Sequence, residues 1–166
     1  MEQDPLSGAI HAIASQLEES EYLGRQIDRG RRRLWVLTAL RTAAWALDGN
    51  RVRVADAAPV EGGARIVVAT DTRIVEVTAI GDIENDMPPE EPVVSVRVLS
   101  CLRLAELETA VKPIIDPHFG VQGFSVTWLR VRNDAGDEVR LPLDPTVWQS
   151  RRGYSDLADA WRAQVV

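Results

Sequence analysis

The sequence predicts an α+β protein: an N-terminal helical hairpin, then an antiparallel β-sandwich or barrel closed by a C-terminal helix. Three observations predict it. Apolar residues recur at helical spacing up to about residue 48. From Arg51 the period changes to two and β-branched residues dominate. After Tyr154 the helical spacing returns.

The first helix is expected to start near Pro5 and Ser7, with Ile10, Ile13 and Leu17 on one face and Glu18, Glu19 and Glu21 exposed after them. Gly24 and Gly30 predict a break between Gly24 and Arg31. A second helix is expected from about Arg31 to Asp48. It carries Leu34, Leu37, Leu40, Ala44 and Trp45, and Gly49-Asn50 stops it.

Arg51 to Val54 alternates, and Arg65 to Ala69 is β-branched and apolar. Arg73 to Thr78 alternates again after Thr70-Asp71-Thr72, which makes a hairpin. Pro59 to Gly63 reads as a turn between the first two strands. Gly81 to Pro92 is acidic and contains Pro88-Pro89, the composition of a solvated loop. Val93 to Leu99 is the next strand. Leu102 to Lys112 fits either a strand end or a short helical turn, and Pro113, Pro117 and Gly120 are expected to break the chain. Phe124 to Arg132 and Glu138 to Leu143 form a second hairpin across Asn133 to Asp137, which is rich in turn formers. The closing helix runs from Tyr154 to Val166, with Ser155 as its N-cap and Leu157, Trp161 and Val165 on one face. About six strands result. Trp128, Trp148 and Trp161 are expected in or at the edge of the core. The organisation is a helical extension over 1–48 and a β domain over 50–166.

Three segments within 50–166 resemble the bacterial pleckstrin-homology-like (PH-like) superfamily. The first is Ala64 to Val77, two apolar strands joined by Thr70-Asp71-Thr72-Arg73. The second is Val98 to Val111, with its Leu102, Leu104, Leu107 and Val111 spacing. The third is Leu129 to Arg132, the Asn133–Asp137 turn, Glu138 to Pro142 and the helix bearing Trp161. The resemblance implies a bent antiparallel sandwich plugged at one end by the last helix. It carries over no catalytic residue, and such scaffolds serve proteins, lipids or membranes. The long acidic Gly81–Pro92 loop and the Pro59–Gly63 turn depart from the family pattern.

Totals narrow the function. The 166 residues suffice for a real core, and 45% hydrophobic with 27% charged residues is a globular balance. A net charge of −6 argues against general nucleic-acid binding, because a phosphate backbone selects basic surfaces. Of the 19 basic residues only Lys112 is a lysine, which we read as codon bias. The single cysteine, Cys101, excludes an internal disulfide and reads as a buried small hydrophobe. The acidic start is not a signal peptide. The most apolar stretch, Leu34 to Leu47, is shorter than the roughly 20 residues a spanning helix needs. A cytoplasmic location is expected.

No nucleophile elbow, phosphate loop or dinucleotide fingerprint is present. His11 and His118 lack partners at metal-ligand spacing, so no catalytic residue, metal site or cofactor is expected. The basic cluster Arg25, Arg29, Arg31, Arg32 and Arg33 is the first binding candidate. With Trp35 beside it, it suits an anionic membrane surface, or it pairs with Glu18, Glu19 and Glu21. The apolar face with Leu34, Trp35, Leu37, Leu40 and Trp45 is the expected interface for a protein partner or a homo-oligomer. The leading expectation is a non-enzymatic interaction or assembly module. The alternatives are peripheral binding to anionic membrane and an enzyme of unrecognised type, for which Asp116, His118 and Asp144 come first.

Overall fold

The computed structural model describes residues 4–18, 34–61, 63–80, 94–146 and 151–166, with backbone alone at Leu34 and Trp35. Helices α1 (Ser7–Leu17) and α2 (Leu34–Leu47) come first. Seven strands follow: β1 (Val54–Val60), β2 (Gly63–Ala69), β3 (Arg73–Ile80), β4 (Val94–Ser100), β5 (Leu104–Asp116), β6 (Gly120–Asn133) and β7 (Glu138–Leu141). Helix α3 (Arg152–Arg162) is last. The chain is α+β, with two antiparallel sheets ordered β1-β2-β3-β4 and β5-β6-β7. It divides into two compact units, residues up to Leu99 and residues from Ser100. The two N-terminal helices and the first four strands fall in the first unit.

In the first unit α1 and α2 bury their apolar faces against one face of the sheet. Ile10, Ile13 and Leu17 of α1 and Leu40, Ala43 and Leu47 of α2 share a core with Ile66, Val68, Val75 and Val77. Each large side chain so buried contributes about 1.5–3 kcal/mol relative to exposure. Alanines at 39, 43, 44 and 46 let α2 sit close. The helix stops where expected. Asp48 and Gly49 take positive φ (51° and 76°), and Asn50 donates to the Leu47 carbonyl through its backbone N–H (3.0 Å) and its Nδ2 (2.7 Å). The β2–β3 turn is built on Thr70, whose hydroxyl accepts from the Arg73 backbone N–H (3.0 Å). Thr72 donates to Asn50 Oδ1 (2.9 Å), which ties this turn to the end of α2.

β1 differs from its sequence reading. It starts at Val54, not Arg51, and runs through Pro59 to Val60. Pro59 is compatible because β1 is an edge strand, where a missing N–H breaks no ladder bond. Gly63 opens β2 for a steric reason: a Cβ there would stand 2.0 Å from the Ala79 carbonyl oxygen.

In the second unit α3 buries Tyr154, Leu157, Ala158 and Trp161 and packs on β5 and β6. Leu104, Val126, Leu129, Val131, Val139 and Leu141 are its buried apolar strand residues. Ser155 lies inside α3, and the N-cap position is Arg151, whose side chain makes no capping bond. Arg151 instead lies over the Tyr154 ring, 5.8 Å from its centroid. Val165 forms a parallel bridge with Leu104 rather than joining the buried helix face, and is 43% exposed. The Gly24–Arg31 break, the Gly81–Pro92 loop and Trp148 lie outside the described residues.

Candidate functional site

The segment expected to be broken by Pro113, Pro117 and Gly120 is instead a long pair of strands. β5 has 13 residues and β6 has 14, and they pair from Leu104↔Asn133 to Asp116↔Gly120. Leu102 to Lys112 is therefore strand from Leu104 onward, with no helical turn. Pro113 interrupts nothing because β5 is the edge of its sheet. Pro117 and Gly120 shape the connection instead of ending the strands. Asp116 Oδ1 accepts from the backbone N–H groups of His118 (2.7 Å) and Phe119 (3.0 Å), and Gly120 takes φ +77°. That is a three-residue hairpin loop: Asp and Pro open a turn and a left-handed glycine closes it.

β7 covers only Leu129 to Arg132 of β6. Beyond that, β5 and β6 continue as a two-stranded arm. Its two faces follow from the register: directly opposed residues share a face, and irregularities at Ala110/Val111 and Ile114/Ile115 each leave one β6 residue without a partner, so alternation along β6 restarts there. One face carries Leu107, Thr109 and Val111 of β5 with Val131, Leu129 and Val126 of β6, then Pro113 with Phe124 and Ile115 with Val121. At the base this face is core, with Leu129 0% and Val131 3% exposed. Toward the tip the side chains of the same apolar stripe are exposed. Ile115 is 66%, Phe124 63% and Phe119, in the loop, 80% exposed. Val111 and Val121 are exposed too.

The opposite face is ionic at the base. Arg130 pairs with Glu106 (3.2 Å) and Glu108, and Arg132 pairs with Glu106 (3.0 Å). Arg140 lies 5.1 Å from the centroid of the half-buried Trp128 ring. These pairs are at the surface and each contributes at most about 1 kcal/mol. They keep the base of this face solvated; toward the tip it carries Lys112 and Asp116 and, between them, the exposed Ile114 opposite Gly123. Between Val111 and Phe124 the charged residues are Lys112 and Asp116. Both lie on the polar side, as partners of Ser125 and Gly120.

The residues singled out from sequence are placed differently. Arg25, Arg29, Arg31, Arg32 and Arg33 lie outside the described residues, as do the side chains of Leu34 and Trp35. Leu40 is fully buried in the core of its own unit, and Leu37, half-buried, packs against that core. Trp45 is 69% exposed. Asp116 holds the arm's loop. Asp144 Oδ1 accepts from the Thr146 backbone N–H (2.8 Å) and hydroxyl (2.7 Å), which hold its carboxyl below the usual value. Both carboxylates are thus turn formers. Cys101 is buried, and burial pushes its thiol up to about 12, far from a reactive thiolate. Among the described residues no group of His, Cys, Asp and Glu is placed to hold a metal ion. No described helix is long and apolar enough to cross a membrane.

A groove of about 550 Å³ lies in the first unit, between α1 and the segment after α2, lined by residues including Gly8, Ala12, Gln16, Asn50 and Arg51. Arg51 is the ionisable group among its described lining residues. It offers no converging acid, base or nucleophile.

Pro113 and Pro117 conceal the arm in the sequence, because a proline ordinarily ends a strand. The signal was present in Asp116-Pro117-His118-Phe119-Gly120, a turn flanked by Ile114-Ile115 and Val121. No protein-family model matches the chain, and no match was found among curated proteins or solved structures.

Proposed function

We propose that this chain is a non-enzymatic protein-interaction or assembly module, and that its contact surface is the apolar face of the β5–β6 arm. One observation carries the reading: a face that is core at Leu129 and Val131 continues into exposed Ile115, Val121 and Phe124, with exposed Phe119 in the loop beyond. Monomeric proteins seldom expose contiguous apolar surface of this kind unless something covers it. Phe124 and branched aliphatics on a backbone fixed by ladder hydrogen bonds make a pre-ordered contact that loses little entropy on binding.

The proposed scaffold is PH-like. Four antiparallel strands in sequential order, three more in sequential order and a helix after the seventh support it. In this reading the scaffold carries the arm and the chemistry lies in what the arm covers.

The test is affinity purification of the full chain from its host at moderate salt, beside the double variant Phe119→Ser/Phe124→Ser. A stoichiometric companion protein, or stoichiometric excess of the chain itself, held by the native arm and lost from the variant is the expected result. Equal retention by both would move the contact surface elsewhere, with Trp45 the next exposed aromatic to change.

A further inference from the structure

We infer that residues 164–166 are a strap over the open edge of β5, and that its release, with α3 still in place, exposes this edge to strand addition. The inference is independent of what the arm's apolar face contacts.

The strap is defined by its hydrogen bonds. Leu104 donates its backbone N–H to the Gln164 carbonyl (3.0 Å), and its own carbonyl accepts from the Val166 N–H (3.1 Å). One residue bonded to both neighbours of the residue opposite is the pattern of a parallel ladder, and Val165 stands opposite Leu104 in it. Residues 164–166 are therefore the first step of a further strand on the outer side of β5. Among the described residues no other segment pairs there.

That edge needs a cover at Leu104. The residue is buried, so its N–H and carbonyl sit where water reaches poorly. Leaving such groups without partners costs more than the hydrogen bonds contribute when made. An extended segment of another chain that offers a carbonyl and an N–H at the same spacing repairs the loss.

The base of β5 stays a strand when the strap leaves. On its inner side Leu104 stands opposite Asn133 of β6. The Arg103 carbonyl accepts from the Asp134 N–H (3.4 Å), and Arg103 Nε pairs with the Asp134 carboxylate (3.3 Å). None of these contacts involves residues 164–166.

The strap is held less firmly than the helix before it. Tyr154, Leu157 and Trp161 anchor α3 and are fully buried, whereas Val165 and Val166 are exposed. Two ladder bonds hold the strap to β5, and burial adds little. A segment with few buried contacts opens locally at far lower cost than its unit unfolds.

Amide hydrogen exchange of the full chain tests this, beside Val166→Pro, which removes the N–H given to the Leu104 carbonyl, and beside a chain shortened to end at Ala163. Light scattering against concentration is recorded on the same three samples. The Leu104 amide is expected to exchange roughly tenfold faster in both variants, with the Leu129 amide unchanged and α3 retained by far-ultraviolet dichroism. Both variants should then associate more strongly than the native chain. Any association through the arm's face is common to all three chains and drops out of the comparison. A Leu104 amide that keeps its native rate overturns the strap. Faster exchange with scattering equal to that of the native chain makes residues 164–166 an ordinary helix tail and overturns the guarding role. If the shortened chain loses α3, Val166→Pro alone decides both points.

Discussion

Pro113 stands directly opposite Phe124 in the β5–β6 ladder, on the apolar face of the arm. A proline within a paired strand must direct its missing N–H toward the open edge. Here that edge is the outer side of β5. Pro113 thus removes one donor from the row that another strand would use, while leaving the face beside it untouched. The arm presents an apolar face but a blunted edge, which selects face packing over strand addition.

That gives a first prediction. Pro113→Thr restores a donor to the β5 edge, and the variant should form larger aggregates at high concentration than the native chain. Light scattering against concentration measures it. Indistinguishable curves would remove the edge-blocking role of Pro113.

The two halves of the expected α2 interface should separate cleanly. Leu40→Ala empties a fully buried position and should cost about 2–5 kcal/mol of stability. Trp45→Ala removes a side chain that is 69% exposed and should change stability by no more than about 0.5 kcal/mol. Urea denaturation of both variants reads this directly. A mild Leu40→Ala would contradict its place in the core.

Arg53 and Asp71 form a two-point ion pair, Nε to Oδ1 and Nη2 to Oδ2, each 2.9 Å. The Arg53 hydrogen bonds hold the Asp71 carboxyl below its ordinary value of 3.8. A carboxyl with a depressed folded value stabilises the fold fully above the unfolded value, and that stabilisation is lost as pH falls through the folded value. The pair is partly exposed, so solvent screening limits it to about 1 kcal/mol or less. Asp71→Asn should therefore lower the urea midpoint at pH 7, and the gap from the native chain should narrow below about pH 4. A gap that widens on acidification would reverse the sign of the argument.

Cys101 should be inert in the folded chain. With its thiol pushed up to about 12 by burial, a chromogenic disulfide reagent at pH 8 should leave it unreacted until denaturant is added. Prompt stoichiometric reaction of the native protein would mean that the segment after β4 opens readily.

Local rules in the sequence determined much of the chain. α1 and α2 are where helical periodicity places them, and Gly49-Asn50 ends α2 because a left-handed residue and a side-chain amide satisfy its last carbonyls. The β2–β3 and β6–β7 hairpins follow from alternation around residues that favour turns. Tertiary structure decided what local rules leave open. Whether Pro59 and Pro113 end a strand depends on whether that strand is an edge, which no local window contains. Leu40 and Trp45 share one apolar helix, and only the packing of that helix on its sheet makes the first core and the second surface. The apolar stripe of β5 and β6 reads the same along its whole length. It is buried at Leu129 and Val126 and open at Phe124, a limit set by what packs on the strand pair, the C-terminal helix among it, and not by the strands' own pattern.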